Sequence, residues 1–411
     1  MLAKGVGTII FMGLLYMVMR PRRSEIKASI EEKIIEGKNV EGKTMNYTEL
    51  APAYIRDIAP YQPGKPIAEL ERELGITDIV KLASNENPLG CSPKATAAMQ
   101  EAIKTIALYP DGNGFELKDA LRKRFGVAHE CIALGNGSND MLELVARAFL
   151  TVGDRAVYSD HAFAVYPLAV QEVGATGIRV KAKNWGHDLD VMLEAAVKKG
   201  AKLIFVANPN NPTGTFISGD ALLAFLRALP KHILVVLDEA YNEYLPQACH
   251  YDAVSWLAEF PNLIISRTLS KAYGLAGLRV GYAFANAQVV DMVNRVRQPF
   301  NVNSVAQAAA VAALADENFV RETHEMNLRG MAQITQGLTA LGLEYIPSFG
   351  NFVSFKIGDG GAFYQRLLAR GVIVRPVAGY GMAEYLRVSI GTENENARFL
   401  AALKQAIEEK K

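Results

Sequence analysis

The chain of 411 residues is half hydrophobic and 21% charged, and its 44 Lys and Arg nearly balance 43 Asp and Glu, leaving a net +1. Such a length builds two or more domains with sizeable cores, while the cancelled charge argues against a nucleic-acid footprint or an acidic tail. Cys91, Cys131 and Cys249 are far apart with no CxxC spacing, which argues against a disulfide framework and a zinc site and fits a reducing, cytoplasmic setting.

The first feature in chain order is the apolar run from Val6 to Met19, followed by Arg20, Arg22 and Arg23. It is shorter than the roughly 20 residues a bilayer span needs, and a secretory signal would carry its positive charge mainly ahead of the run. Residues 1–44 are therefore expected to form an extension outside the main fold, with Met45 as the working start and no membrane attachment. An arm over 45–85 is expected to join a smaller domain.

From Asp78 onward, short apolar runs alternate with longer amphipathic ones. "LIFVAN" (203–208), "HILVVLD" (232–238) and "NLIISRT" (262–268) are near-continuously apolar, as strands buried on both faces are. Between the first two, "GDALLAFLRAL" (219–229) has helical spacing, and the order strand, helix, strand implies parallel crossovers. The expectation is an α/β fold, with a large domain over 86–298 whose mostly parallel sheet is covered by helices. A long helix over 317–341, strands at 352–357, 372–376 and 386–391, and a closing helix from Asn394 predict a smaller α+β domain over 299–411.

Four segments carry chemistry. Asp238 ends a buried strand at the edge where open α/β sheets bind ligands; it could cap the next helix, but a buried carboxylate wants a cationic partner, and a protonated ring nitrogen would serve. "ALGNGSNDMLELVARAFL" (133–150) is a glycine-broken loop entering a helix, where backbone N–H groups and the helix dipole cradle a phosphate. It lacks the third glycine of a dinucleotide fingerprint and the GK[ST] of a P-loop, and a plain helix cap reads the same way. "ANPNNPTG" (207–214) places two Asn-Pro steps after a strand, a stiff connection from which an amide can donate to a ring oxygen.

The fourth segment, "SRTLSKAYGLAGLRVGY" (266–282), follows a buried strand and holds Thr268, Ser270, Lys271 and Arg279. An amine near other cations in a partly dry site loses basicity and becomes a nucleophile, and the arginine fork suits a phosphate. A lysine, a phosphate cradle, a carboxylate for a ring nitrogen and an amide for a ring oxygen together describe pyridoxal 5′-phosphate held through its aldehyde.

The chain from about Ile58 to Glu408 resembles the fold-type-I aminotransferases. Its segments "APYQPGKPIAELERELG", "KLASNENPLG", "LYPDGNG", "NPNNPTG", "LDEAY", "RTLSKAYGLAGLRVGY" and "LRVSIGT" are similar, in order, to the histidinol-phosphate aminotransferase family. The resemblance implies that Lys271 holds the cofactor aldehyde and acts as general base and acid. Asp238 would pair with the pyridine nitrogen, and Tyr241 and Asn211 would bond the ring oxygen. Ser138, Asn139, Thr268, Ser270 and Arg279 would surround the phosphate, joined by Tyr109 from the partner subunit of a homodimer. Arg387 and Arg375 would hold anionic groups of the substrate, with Tyr61 and Asn87 as wall residues and Phe163 over the cofactor ring, although a core aromatic would read the same there. One departure is visible: "GSND" stands where the family usually shows "GSDE", so Asn139 replaces an acid.

The reaction implied is transfer of an amino group from L-histidinol phosphate to 2-oxoglutarate. Transamination of an aromatic amino acid, decarboxylation of a phosphorylated amino acid and a non-enzymatic cofactor sensor stay open on the same residues.

Overall fold

The computed structural model describes residues 46–61 and 64–409. The apolar run at 6–19 and the extension expected over 1–44 lie outside the described residues. The chain divides into two compact units, meeting between Asp57 and Ile58. In the first, a 3-10 turn at Tyr47–Leu50 is capped by Asn46, whose side chain accepts from the Thr48 N–H, and one further helical turn spans Ala53–Arg56. Among the described residues no helix is long and apolar enough to cross a membrane.

The second unit is built on a seven-stranded sheet in the order β2-β8-β7-β6-β5-β3-β4. These strands are β2 (Ile132–Gly135), β3 (Arg155–Ser159), β4 (Thr176–Val180), β5 (Leu203–Ala207), β6 (Leu234–Asp238), β7 (Leu263–Thr268) and β8 (Gly281–Ala285). All neighbours from β4 to β7 pair in parallel, and β8 alone runs against its neighbours. The parallel core follows from the apolar runs: every residue of β5 and β7 is buried, because helices cover both faces. Two cores flank the sheet. One is built on Leu117, Ile204, Phe225, Leu237 and Ile265; the other, on Leu142, Tyr166, Phe205, Val236 and Ile264, lies on the opposite face, as the alternation of neighbouring strand residues requires.

A four-stranded antiparallel sheet, β12-β13-β10-β9, comprises β9 (Tyr345–Ile346), β10 (Phe352–Lys356), β12 (Arg375–Pro376) and β13 (Tyr385–Ser389). The helices Glu317–Ala340 and Glu393–Glu408 lend it Ile334, Leu338, Phe399 and Leu403. The segment 372–376, expected as one strand, is two: β11 (Val372–Ile373) pairs in parallel with β1 (Val80–Lys81), while β12 pairs with β13. The chain changes sheets at Val374, which is itself buried. Residues beyond 299 also serve the large sheet, since the helix Ser304–Leu314 buries Ala306, Ala309, Ala310 and Ala313 in its core.

Behind the sheet edge, Glu239 is fully buried and accepts from Arg267 Nε at 2.9 Å and pairs with its Nη2 at 2.8 Å. The guanidinium also lies over the Phe125 ring at 5.0 Å. This pair ties the end of β6 to β7. Arg267→Met should leave Glu239 without its cationic partner and cost about 3–5 kcal/mol, read as a lower denaturant midpoint at unchanged slope; an unmoved midpoint would count against the tie.

Candidate active site

Parallel register places the chemistry. Ala207 pairs with Asp238 and Asp238 with Ser266, so the ends of β5, β6 and β7 lie side by side. The chain leaving β5 carries Asn211, β6 ends in Asp238, and β7 ends in Thr268, with Ser270 and Lys271 on the chain that leaves it. All of these line one cleft of about 230 Å³, together with Ser138, Asn139, Phe163, Tyr241, Arg279, Arg375, Arg387 and Tyr61. That volume is below the roughly 300–1,000 Å³ of drug-sized pockets, and suits a small ligand.

Asp238 sits at the floor. Tyr166 donates its hydroxyl to Asp238 Oδ2 at 2.9 Å, and the Ala240 N–H donates to Oδ1 at 3.3 Å. Burial raises the carboxyl to about pKa 6, and no cation pairs with it among the described residues. Beside it Tyr241, pushed up to about 12 by burial, accepts at its hydroxyl from Asn85 Nδ2 at 2.9 Å. Lys271 Nζ lies 5.9 Å from the Tyr241 ring centroid and donates to the Ser84 carbonyl at 2.9 Å. Burial first, then the charge of Arg387, lowers this amine to about pKa 7.

On one side, the helix Ser138–Phe149 starts after Gly137, whose backbone has φ +90° and which supplies no side-chain cap. The first-turn N–H groups are thus left without a cap. A Cβ at Gly137 would lie 2.6 Å from Arg279 Nη2, so glycine is what lets the guanidinium reach the helix start. Arg279 itself takes φ +58°. Gly281 is equally constrained, since its Cβ would meet the Ser138 nitrogen at 2.5 Å. The Ser270 N–H donates to Thr268 Oγ1 at 3.1 Å. At the departure from the family pattern, Asn139 lines the cleft while the next residue, Asp140, accepts from the Asn136 N–H at 2.8 Å and Asn301 Nδ2 at 2.9 Å.

On the other side, buried Arg387 donates from Nη1 to Asn211 Oδ1 at 2.5 Å and from Nη2 to the Ala83 carbonyl at 2.7 Å, while its Nε has no partner. Arg375 Nη2 donates to the Tyr61 hydroxyl at 3.3 Å, with its guanidinium 5.5 Å over that ring. Register fixes the two arginines opposite each other, Arg375 pairing with Arg387 across β12 and β13.

One expected wall residue, Asn87, is not in this cleft, and Tyr109, expected from the partner subunit, does not line the cleft of its own chain. Asn87 is buried elsewhere: its Nδ2 donates to the Ala272 carbonyl at 2.9 Å and to Thr323 Oγ1 at 3.0 Å, which braces the residue after Lys271 from behind. Tyr109 is 82% exposed and stacks on Phe300 at 4.7 Å, away from the cleft of its own chain. Conversely, sequence reasoning missed Tyr166, Asn85 and Tyr380. Tyr166 stands three residues after Phe163, one helical turn on, and Asn85 stands two before Asn87; in each case the neighbour drew attention and the spacing was there to be read.

The family model of aminotransferase class I and II matches residues 77–403. The chain belongs to these aminotransferases, in their histidinol-phosphate aminotransferase family. It is 61% identical over 361 residues to the histidinol-phosphate aminotransferase of Methylobacillus flagellatus, covering 87% of this chain and 98% of that one. To histidinol-phosphate aminotransferase 2 of Pseudomonas aeruginosa it is 57% identical with the same coverage. Among solved structures, that of histidinol-phosphate aminotransferase from Sinorhizobium meliloti in complex with pyridoxal-5′-phosphate aligns with TM-score 0.81 at 30% identity, over 87% of this chain and 98% of that one.

In protein freed of small molecules, acylation of Lys271, followed by peptide mass analysis, should rise to half its maximum near pH 7, because the amine is an ammonium below that value and a neutral nucleophile above it. A half-rise near 10, as for a solvated lysine, would refute the shift.

Proposed function

We propose that this chain is a pyridoxal-phosphate-dependent aminotransferase that takes the amino group of L-histidinol phosphate and passes it to 2-oxoglutarate, forming imidazole acetol phosphate and L-glutamate in histidine biosynthesis. The observation that carries the substrate assignment is the 61% identity to a histidinol-phosphate aminotransferase over 98% of its length.

The residues fit the cofactor. A buried carboxyl without a cation is what a protonated ring nitrogen requires, and Asp238 is one. A helix start left without a cap, with Arg279 over Gly137, suits the phosphate, where Ser138, Asn139, Thr268 and Ser270 would join it. Tyr241 would bond the ring oxygen along with Asn211, whose Oδ1 already serves Arg387, leaving Nδ2 to donate. Phe163 would cover the ring, and Lys271 would hold the aldehyde between turnovers.

When bound, pyridoxal phosphate supplies a sink for the electron pair left when a substrate C–H bond breaks. Lys271 moves the proton: its amine, neutral above about pH 7, takes it from the substrate carbon at Nζ and gives it up at a different carbon, so that the substrate carbon is left at the carbonyl level. Asp238 would stabilise positive charge at a ring nitrogen bound beside it. Tyr166 holds the carboxylate in place. Arg387, helped by Arg375, orients an anionic group of each substrate, the phosphate of L-histidinol phosphate or a carboxylate of 2-oxoglutarate, and the unpartnered Arg387 Nε is a ready donor to it.

The working unit in this reading is a cytoplasmic homodimer. Ile103, Ile106, Leu108, Tyr109 and Phe115 are all more than half exposed, a concentration of apolar surface in a short stretch of chain that supports coverage by a second copy. Tyr109 would then complete the partner's phosphate cradle.

The purified protein should show a visible cofactor band that bleaches with L-histidinol phosphate and returns with 2-oxoglutarate. Bleaching only by phenylalanine or tyrosine would move the substrate to an aromatic amino acid, and carbon dioxide release from a phosphorylated amino acid without 2-oxoglutarate would mean decarboxylation. Lys271→Ala should abolish both band and turnover. Asp238→Asn should keep bound cofactor yet lower kcat roughly 10²–10³-fold, as loss of a preorganised electrostatic partner does; full activity in that variant would remove Asp238 from its role.

A further inference from the structure

His161 belongs to no part of the machinery above, yet three walls of the cleft meet on it. Its backbone takes φ +54°, a conformation that costs energy in a residue other than glycine and persists where the surroundings impose it. Its carbonyl accepts from Asn210 Nδ2 at 3.0 Å, which ties it to the loop carrying Asn211. Its ring nitrogen Nδ1 lies 2.6 Å from the Tyr380 carbonyl oxygen. A carbonyl only accepts, so Nδ1 carries the proton. Two residues on, Phe163 lines the cleft.

Tyr380 ends the turn that leaves β12, five residues after Arg375, and lines the cleft at the arginine end. The charges of Arg387 and Arg375 both act on its hydroxyl, opposing the upward push of burial. The turn passes close to the imidazole, since a Cβ at Gly381 would stand 3.6 Å from both His161 Cε1 and Arg179 Nη2. Trp185 also packs on the imidazole, with ring centroids 5.1 Å apart, and Trp185 in turn packs 5.1 Å from Tyr385 of β13.

We propose that His161 is a positioning residue for the substrate: its Nδ1–H latches the Tyr380 turn of the smaller sheet to the Phe163 and Asn211 loops of the larger one, and so sets the width of the arginine end of the cleft. The latch rests on the reading of Arg375 and Arg387 as the substrate end. It acts through Tyr380 and through the loops, not by contact with the reacting atoms. Substrate affinity should therefore depend on it more than cofactor affinity, whose phosphate cradle at Gly137 and Arg279 lies on the other side of the cleft.

Two variants separate the hydrogen bond from the backbone. His161→Gly accepts the positive φ and removes the donor; His161→Asn also tolerates it and places an amide N–H near the position of Nδ1. In the holoenzyme, His161→Gly should raise KM for L-histidinol phosphate about tenfold, lower cofactor affinity by less than that, since Phe163 and Asn211 border the ring while the phosphate cradle takes no part in the latch, and speed amide exchange over residues 377–382. His161→Asn should restore both KM and exchange. An unchanged KM and exchange in the glycine variant, equal loss in both variants, or a fall in cofactor affinity that tracks KM would overturn the latch. Should the wild type fail to use L-histidinol phosphate, the substrate assignment falls, and the exchange at 377–382 still decides whether His161 holds the turn.

Discussion

The parallel hydrogen-bond register of β5, β6 and β7 is the constraint on which the cleft depends. It puts Ala207, Asp238 and Ser266 in one row, and so sets three departing chains side by side at the carboxyl edge of the sheet. Sliding β6 by one residue would turn Asp238 from the cleft toward the space that Glu239 fills, because neighbouring side chains point to opposite faces. The buried Arg267–Glu239 pair works against such a slip by tying the same two strands from behind. Precision at the site is thus inherited from the ladder and from the charge locked beneath it.

Burial then tunes the groups that the register collects. Desolvation disfavours the charged form of every titrating group, so one dry cleft moves Asp238 up to about 6 and Lys271 down to about 7. The two shifts have opposite signs and share burial as their largest cause. Each leaves a group that gains from a ligand: Asp238 wants a cation, and Lys271 wants an electrophile. The partnerless Arg387 Nε adds a demand for an anion at the far end. The polar geometry of the cleft therefore describes its ligand by complement, cationic ring, reactive carbonyl and anionic tail.

Much of this was legible in the sequence because strands buried on both faces read as unbroken apolar runs, and residues just after such runs fall at the ligand edge. Asp238, Lys271 and the Asn-Pro loop were placed at the cleft that way. Asn211 within that loop, Tyr241 and Arg387 came only with the family resemblance. The strand expected over 372–376 was misread as one element because period and apolarity cannot show that a chain switches sheets at Val374. Tyr166 escaped because its role is set by a partner 72 residues away, and Asn87 misled because a buried asparagine that braces Ala272 and one that faces a ligand have the same local signature.

The sequence by itself determined the fold class, the order of the elements and the side chains able to do the chemistry, since local apolar period and turn residues act over a few neighbours along the chain. Only the tertiary structure decided which of those side chains share the cleft, which brace it from behind, and where the two sheets touch at His161 and Tyr380. Those contacts join residues more than 200 positions apart, and a hydrogen bond across that separation leaves no trace in local sequence pattern.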